Sequence, residues 1–426
     1  MKKVIPLLCA ATIVSSPFSA YAQTAEAEPK TEVNQPTEEQ TPEVGQVEKL
    51  TLEDVIKRGT ENNKNLTVMQ LNLEASKSQI LDTEFDVNEI DWDIMGLKSK
   101  LRDLRNARKE LEDEDLIIAN EQQRIAIENS IGALEDQIQA LQLAIKQLET
   151  GQIQLQLQKE EAKEGVRLLL TSAYTNILVL QEQMEFTKKM IESAKLNVRK
   201  AERMYDFGMS SSEAVRQAKI AQKDLEKQLE GLEKNYNQTV ATLCFNIGVT
   251  YNPAITIEPI EYKAIEVTKP ENYKSLIDNT YRVKKAEKSL ESAMLAREDA
   301  YREYHEGDNV GAKVSNYELE QHDYQVKAAE ETINSLKEDI ETTINGLYYN
   351  SKMSYFDYEE ALRKLEDVNQ DLKALETRYK LGVISKHDYE SALIKLEQAK
   401  LNVYNATVQN YMNQEQIKAF ENGYVQ

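Results

Sequence analysis

The chain has 426 residues, 29% of them charged, with 73 acidic against 52 basic side chains and a formal net charge of −21 at pH 7. A mean hydropathy of −0.60 excludes a polytopic helical membrane protein. So acidic a surface also argues against nucleic acid and against adsorption to anionic lipid.

In chain order, residues 1–22 carry Lys2 and Lys3, then the apolar run "VIPLLCAATIV", then "AYA" ahead of Gln23, the three-part layout of a cleaved export signal. Cys9 lies in the apolar run without the small residue that lipid attachment needs before it. Cleavage is therefore expected to remove it and to leave Cys244, in "TLCFNIG", as the one cysteine of the mature chain, a small buried apolar residue with no disulfide partner. Loss of Lys2 and Lys3 takes the net charge from −21 to −23. Residues 23–49 hold three of the eight prolines and almost no large apolar side chains, which predicts a disordered acidic leader.

No proline occurs between Glu43 and Asn252, nor after Pro270, so two long tracts permit helix. In the first, Val166, Leu170, Ala173, Ile177, Leu180, Met184, Thr187, Ile191, Ala194, Val198, Ala201 and Tyr205 recur in steps of four and three, the spacing of a coiled-coil seam. At about 1.5 Å per residue that helix is roughly 60 Å long. It closes at Phe207-Gly208, and Ser210 with Glu213 has the spacing of a capping box for the return helix, whose stripe is Ala218, Ala221, Leu225, Leu229, Leu232, Tyr236 and Leu243. The plan recurs after 174 residues: Leu347, Tyr358, Leu362, Leu365, Leu372, Leu375 and Tyr379 lead to Gly382, Ser385 and Asp388 cap again, and Ala392, Leu396, Ala399, Val403 and Ala406 return. This is an internal duplication of antiparallel helical hairpins. Val68, Leu71 and Ala75 match Val283, Ala286 and Leu290 as the opening helix of each repeat. Between the repeats, residues 252–270 hold three prolines and alternating Ile255, Ile257 and Ile260, a strand-like linker.

The segments "LTLEDVIKRGTENNKNLTVMQLNLEASKSQI" (50–80), "YDFGMSSSEAVRQAKIAQKDL" and "RYKLGVISKHDYESALIKLEQAKL" resemble the opening segment and the two hairpin tips of TolC-type outer-membrane efflux proteins. The resemblance covers residues 50 to about 85, 165–305 and 320–420. It implies a homotrimeric tunnel of twelve helices whose tips dock on the hairpins of an adaptor (membrane fusion) protein, fed by an ABC-type or related exporter. It also implies two strands per repeat in a membrane β-barrel, and here the sequence departs. Residues 84–165 carry Leu97, Leu101, Leu104 and Leu111, then Ile127, Ile131, Leu134, Ile138, Leu141, Ile145 and Leu148, heptads rather than alternation. The matching gap at 301–320 is too short and too charged for two membrane strands. The expected fold is all-α: a first helical repeat at 50–251 with a helical insertion at about 84–165, the linker, and a second repeat at 271–426. No β-barrel and no bilayer span is expected, in an exported protein of the cell envelope.

The candidate site is the pair of tips, Phe207, Gly208, Met209, Ser210 and Ser211 in one and Leu381, Gly382, Val383, Ile384 and Ser385 in the other, where apolar side chains beside a glycine invite a partner. By resemblance, Tyr379 and Asp388 match positions that hold and line the aperture, although Tyr379 also fits a seam and Asp388 a helix cap. The latch arginine and its acidic partner fall at Ile384 and Ala214, so that latch is mostly absent. His305, His322 and His387 have no metal-ligand spacing, and "EDED" at 112–115 reads as a turn between coiled-coil arms rather than a calcium loop. Neither catalytic residues nor a cofactor is expected. Two functions remain: an export conduit that docks tip-first, or a structural or adhesive coiled-coil protein that keeps the fold without a channel.

Overall fold

The computed structural model describes residues 49–306 and 314–425. The expected signal at 1–22 and the leader lie outside the described residues, except that Lys49 belongs to the first strand. The elements are β1 (Lys49–Leu50), α1 (Leu52–Glu61), α2 (Lys64–Ala107), a 3-10 turn (Arg108–Glu110), α3 (Glu114–Asp206), α4 (Ser212–Asn246), β2 (Thr256–Ile257), α5 (Tyr273–Asp278), α6 (Tyr281–Glu306), α7 (Asn316–Lys380) and α8 (Lys386–Glu421).

The expected all-α fold of long antiparallel hairpins is what the chain adopts. Among the described residues strand is confined to β1 and β2, which pair in parallel with Leu50 opposite Ile257. Residues 84–165 are helical apart from the turn at 111–113. There Asp113 caps α3 by accepting from the Asp115 N–H at 3.0 Å, so "EDED" is the inter-arm turn it was read as. The helices are longer than the sequence reading set them. The opening helix runs without a break into the outgoing arm of the insertion, and the return arm runs on into the first hairpin. The roughly 60 Å helix is therefore the last part of α3, whose 93 residues span about 140 Å.

Towards the glycine turns the helices pack in the order α4, α3, α8, α7, and at the other end in the order α2, α3, α6, α7. The first-repeat core joins Tyr174, Ile177 and Leu178 of α3 to Leu243, Cys244 and Ile247, with Leu50, Ile255 and Ile257 closing it. Cys244 is buried and free, as a small apolar residue. The Tyr174 hydroxyl lies 3.0 Å from the Leu50 carbonyl and 2.7 Å from that of Glu258, tying the strands to α3. Burial and nearby Asp54 push this phenol up to about 12. The second repeat has its own core of Ile277, Val283, Ile340, Ile344, Tyr348, Ile417 and Phe420.

The match in spacing between the two opening helices does not extend to burial. Val68 and Leu71 are 54% and 57% exposed and Ala75 is exposed too, whereas Val283 is buried. The face of α2 turned to α3 carries Leu66, Ile80, Ile90, Ile94 and Leu101 instead. On the same helix Trp92 is 74% exposed.

The reading also passed over the polar part of the second seam. Asn410, wholly buried, accepts from the Ile265 N–H at 2.9 Å and the Gln414 amide at 2.6 Å, and donates to Ser354 Oγ at 3.1 Å. It thereby fixes the linker to α8 and α7. Asn410→Leu leaves the Ile265 N–H without an acceptor and is expected to cost about 1–3 kcal/mol, measured by chemical denaturation. A wild-type midpoint would show that the linker is held by other contacts.

Candidate functional site

Both hairpin tips are built from the same local chemistry. At the end of α3 the Gly208 N–H donates to the Tyr205 carbonyl at 2.8 Å and the Met209 N–H to that of Met204 at 2.7 Å. At the end of α7 the Gly382 N–H donates to Tyr379 at 2.9 Å and the Val383 N–H to Arg378 at 2.9 Å. These bonds need a left-handed residue, and Gly208 and Gly382 supply it with φ of +71° and +73°. The same left-handed closure ends α4 and α8, at Gly248 and Gly423, a second element of the duplication that the sequence reading missed. A helix-period run followed by a lone glycine, "CFNIG" and "AFENG", is the signal that could have found it.

The two return helices start differently. Ser211, not Ser210, caps α4, accepting from the Ala214 N–H at 3.3 Å, and Glu213 is drawn instead to Arg216 at 2.6 Å. The Ser210–Glu213 capping box is therefore not formed. At the other tip the Ser385–Asp388 box is complete: Ser385 Oγ accepts from the Asp388 N–H at 3.2 Å, and the Asp388 carboxylate accepts from Ser385 Oγ at 2.7 Å and its N–H at 3.3 Å. The hydroxyl and backbone hydrogen bonds from Ser385 hold the Asp388 carboxyl below its ordinary range. Tyr379 is half-buried and stacks on Tyr389, ring centroids 5.0 Å apart and nearly parallel. Tyr205, in the matching place, is 50% exposed because Val215 stands where Tyr389 would be.

The two tips lie at the same end. Lys189 of α3 pairs with Glu397 of α8 at 2.5 Å, and nearer the turns Lys200 acts on Asp388. Around the glycines the apolar side chains stand in solvent, with Phe207, Met209, Leu381 and Val383 at 78%, 70%, 74% and 63% exposure, while Ile384 and Ser210 are half-buried. Among the described residues no group of three His, Cys, Asp or Glu is placed to hold a metal ion. No described helix is long and apolar enough to cross a membrane.

Away from the tips, the repeats are joined by a buried charge cluster. Arg167 of α3 reaches Glu164 at 2.9 Å and Glu415 of α8 at 2.6 Å, and Lys418 reaches Glu415 at 2.7 Å. Burial pushes Glu415 up, but the hydrogen bonds from Lys418 and Arg167 outweigh it and hold the carboxyl below its ordinary range.

Comparison with solved structures places this architecture. The open state of the MtrE outer membrane channel of Neisseria gonorrhoeae matches over 87% of this chain and 89% of that one, with a TM-score of 0.59 at 11% identity. The fold is that of the TolC-type channels. The CmeC outer membrane channel of Campylobacter jejuni matches over 88% of this chain and 86% of that one, with a TM-score of 0.52 at 13% identity. The outer membrane protein VceC of Vibrio cholerae matches over 67% and 76%, with a TM-score of 0.51 at 15% identity. No protein-family model and no curated protein sequence matches the chain. The likeness to TolC-type channels is thus one of backbone path, kept at an identity where few side chains are shared.

Proposed function

We propose that the protein forms a TolC-like export conduit of the cell envelope. In this reading three copies build a helical tunnel whose glycine tips dock on the hairpins of an adaptor (membrane fusion) protein, itself served by an ABC-type or related exporter. The observation that carries the reading is the pair of glycine-turned tips at one end, with Phe207, Met209, Leu381 and Val383 exposed together. Apolar side chains at the end of a helical hairpin cost solubility and suit a partner. The open order α4, α3, α8, α7 supports a ring, because it leaves one face of α4 and one of α7 for neighbouring copies. In the ring, Tyr379 and Asp388 face the aperture, and Ser210, Ser211, Ile384 and Ser385 complete the docking surface.

Gly382→Val places a β-branched residue at φ +73°, and Val383→Asp adds an unpaired charge to the contact. The double variant should lose at least tenfold in capture of the adaptor, in pull-downs from cells encoding both proteins, with helicity by circular dichroism nearly unchanged. Wild-type capture and wild-type export would replace the conduit by a structural or adhesive coiled-coil protein. The helices at 84–165, where a barrel would lie, give that second reading its footing.

A further inference from the structure

The linker crosses the helical layer on one face. Its Glu258 carbonyl accepts from the Tyr174 hydroxyl of α3 at 2.7 Å, its Ile265 N–H donates to Asn410 of α8 at 2.9 Å, and Lys269 reaches Asn345 of α7 at 2.7 Å. In the phase of Tyr174, beyond the linker towards the glycine turn, Glu185, Lys188, Glu192, Lys195, Arg199 and Arg203 form a wholly charged, exposed stripe on α3. Half a turn away, the opposite face of α3 carries Ser172, Asn176, Val179, Gln183, Phe186 and Met190 in steps of four and three. On α8 the residues turned away from Asn410 and Gln414 are Gln398, Asn402, Asn405 and Gln409. None of these carries a charge, in a chain of which 29% is charged. Ser172, Asn176, Gln398, Asn402 and Gln409 are nevertheless exposed, and the rest are half-buried. A helix face left in water is ordinarily the charged one, so an uncharged stripe along two adjacent helices has another use.

Resting on the conduit reading, we propose that this uncharged face lines the bore and takes an uncharged, polyhydroxylated cargo, a neutral oligosaccharide or glycoside. Three copies of a four-helix layer, with helices about 10 Å apart, put the helix axes on a ring of roughly 19 Å radius. The linker, α1 and both strands of three copies would fill so narrow a bore, so the face they occupy is the outside and the face with Ser172 and Asn402 is the inside. α3 and α8 are the two central helices of each layer, and their stripes run side by side along the wall. A carboxamide donates and accepts at once, which matches the hydroxyl pairs of a sugar, and Phe186 offers a flat apolar surface for a sugar ring. An anionic cargo calls for Lys or Arg on the wall and a cationic one for Asp or Glu, and neither stands in the stripe. Gln398 donates to Asn402 at 3.0 Å, whereas the side-chain amides of Asn176, Gln183 and Gln409 have no protein partner among the described residues and are open to a ligand. Charge returns at the border with α7, where Asp357 and Glu360 line a groove of about 390 Å³ with Asn402, and Lys364 neutralises Glu360 at 2.6 Å.

The test uses the purified protein with Cys9→Ala and Cys244→Ala and one new cysteine, Ser172→Cys on the proposed lining or Lys195→Cys on the charged stripe. Both should react with biotin-maleimide. Streptavidin, too wide for the bore, should then capture the native Lys195→Cys protein and not the native Ser172→Cys protein. Capture of both would mean that no tunnel encloses this face, and the conduit reading would fall with the proposal. With the face enclosed, excess maltoheptaose should slow modification of Ser172→Cys by an uncharged maleimide at least threefold. A polyethylene glycol of the same mass, whose chain accepts hydrogen bonds but donates none, should slow it less than threefold. Asn176→Ala with Gln409→Ala should abolish the effect of the sugar. A rate that maltoheptaose leaves unchanged, equal slowing by both polymers, or slowing that survives the alanine pair would each overturn the cargo assignment while leaving the conduit standing.

Discussion

Ile177→Asp is expected to abolish the cooperative melting of the first repeat. Ile177 is wholly buried where α3, α4 and both strands meet, with Leu50, Tyr174, Leu243, Cys244 and Ile247 in the same core. A carboxylate there has no counter-charge, and its burial costs several kcal/mol, a large part of what a domain of this size holds in reserve. Leu362→Asp is the control, because Leu362 keeps the seam phase in α7 yet is 38% exposed. That change is expected to shift stability by no more than about 0.5 kcal/mol. Amide exchange should show where the damage goes: protection lost around residues 240–249, and retained in the tip-proximal half of α7 and α8. Equal melting of the two variants would mean that the first-repeat core is not where α3 is held.

That contrast shows what periodicity carries and what it omits. The seam of α3 was legible because its twelve positions keep phase, and eleven of them are buried or half-buried in the structure. The tip glycines were legible because a left-handed closure admits few other residues. Their partner-docking role is a proposal that periodicity does not touch. α2 was misread for a physical reason: it carries two apolar stripes, and a heptad pattern does not say which of them a neighbour covers. Val68, Leu71 and Ala75 belong to the stripe that no described helix covers. Nor does an apolar pattern reveal Asn410, Ser351 and Ser354, which are buried because the linker crosses there and its backbone must be satisfied. The continuity of α2 and α3 was missed because a resemblance that stops near residue 85 suggests a boundary where the backbone has none.

The charge cluster between the repeats gives the other large effect. Arg167→Ala removes the guanidinium that reaches Glu415 at 2.6 Å while leaving that carboxylate buried. Breaking one side of a buried pair costs about 3–5 kcal/mol, and Lys418, still in contact at 2.7 Å, places the expected loss at the lower end of that range. The pH dependence has a definite sign. The Glu415 carboxyl is held below its ordinary range, so its contribution is complete above the unfolded value of about 4.3 and is lost as the pH falls through the folded one. Without Arg167 the same burial favours the protonated acid, so acidification relieves the variant while it weakens wild type. Thermal melting should therefore separate the two widely at pH 7 and draw them together towards pH 4. The double change Arg167→Met with Glu415→Leu removes both charges, and it should melt above Arg167→Ala at pH 7, because an apolar contact carries no uncompensated ion. If Arg167→Ala melts with wild type at pH 7, α3 and α8 are held by packing alone.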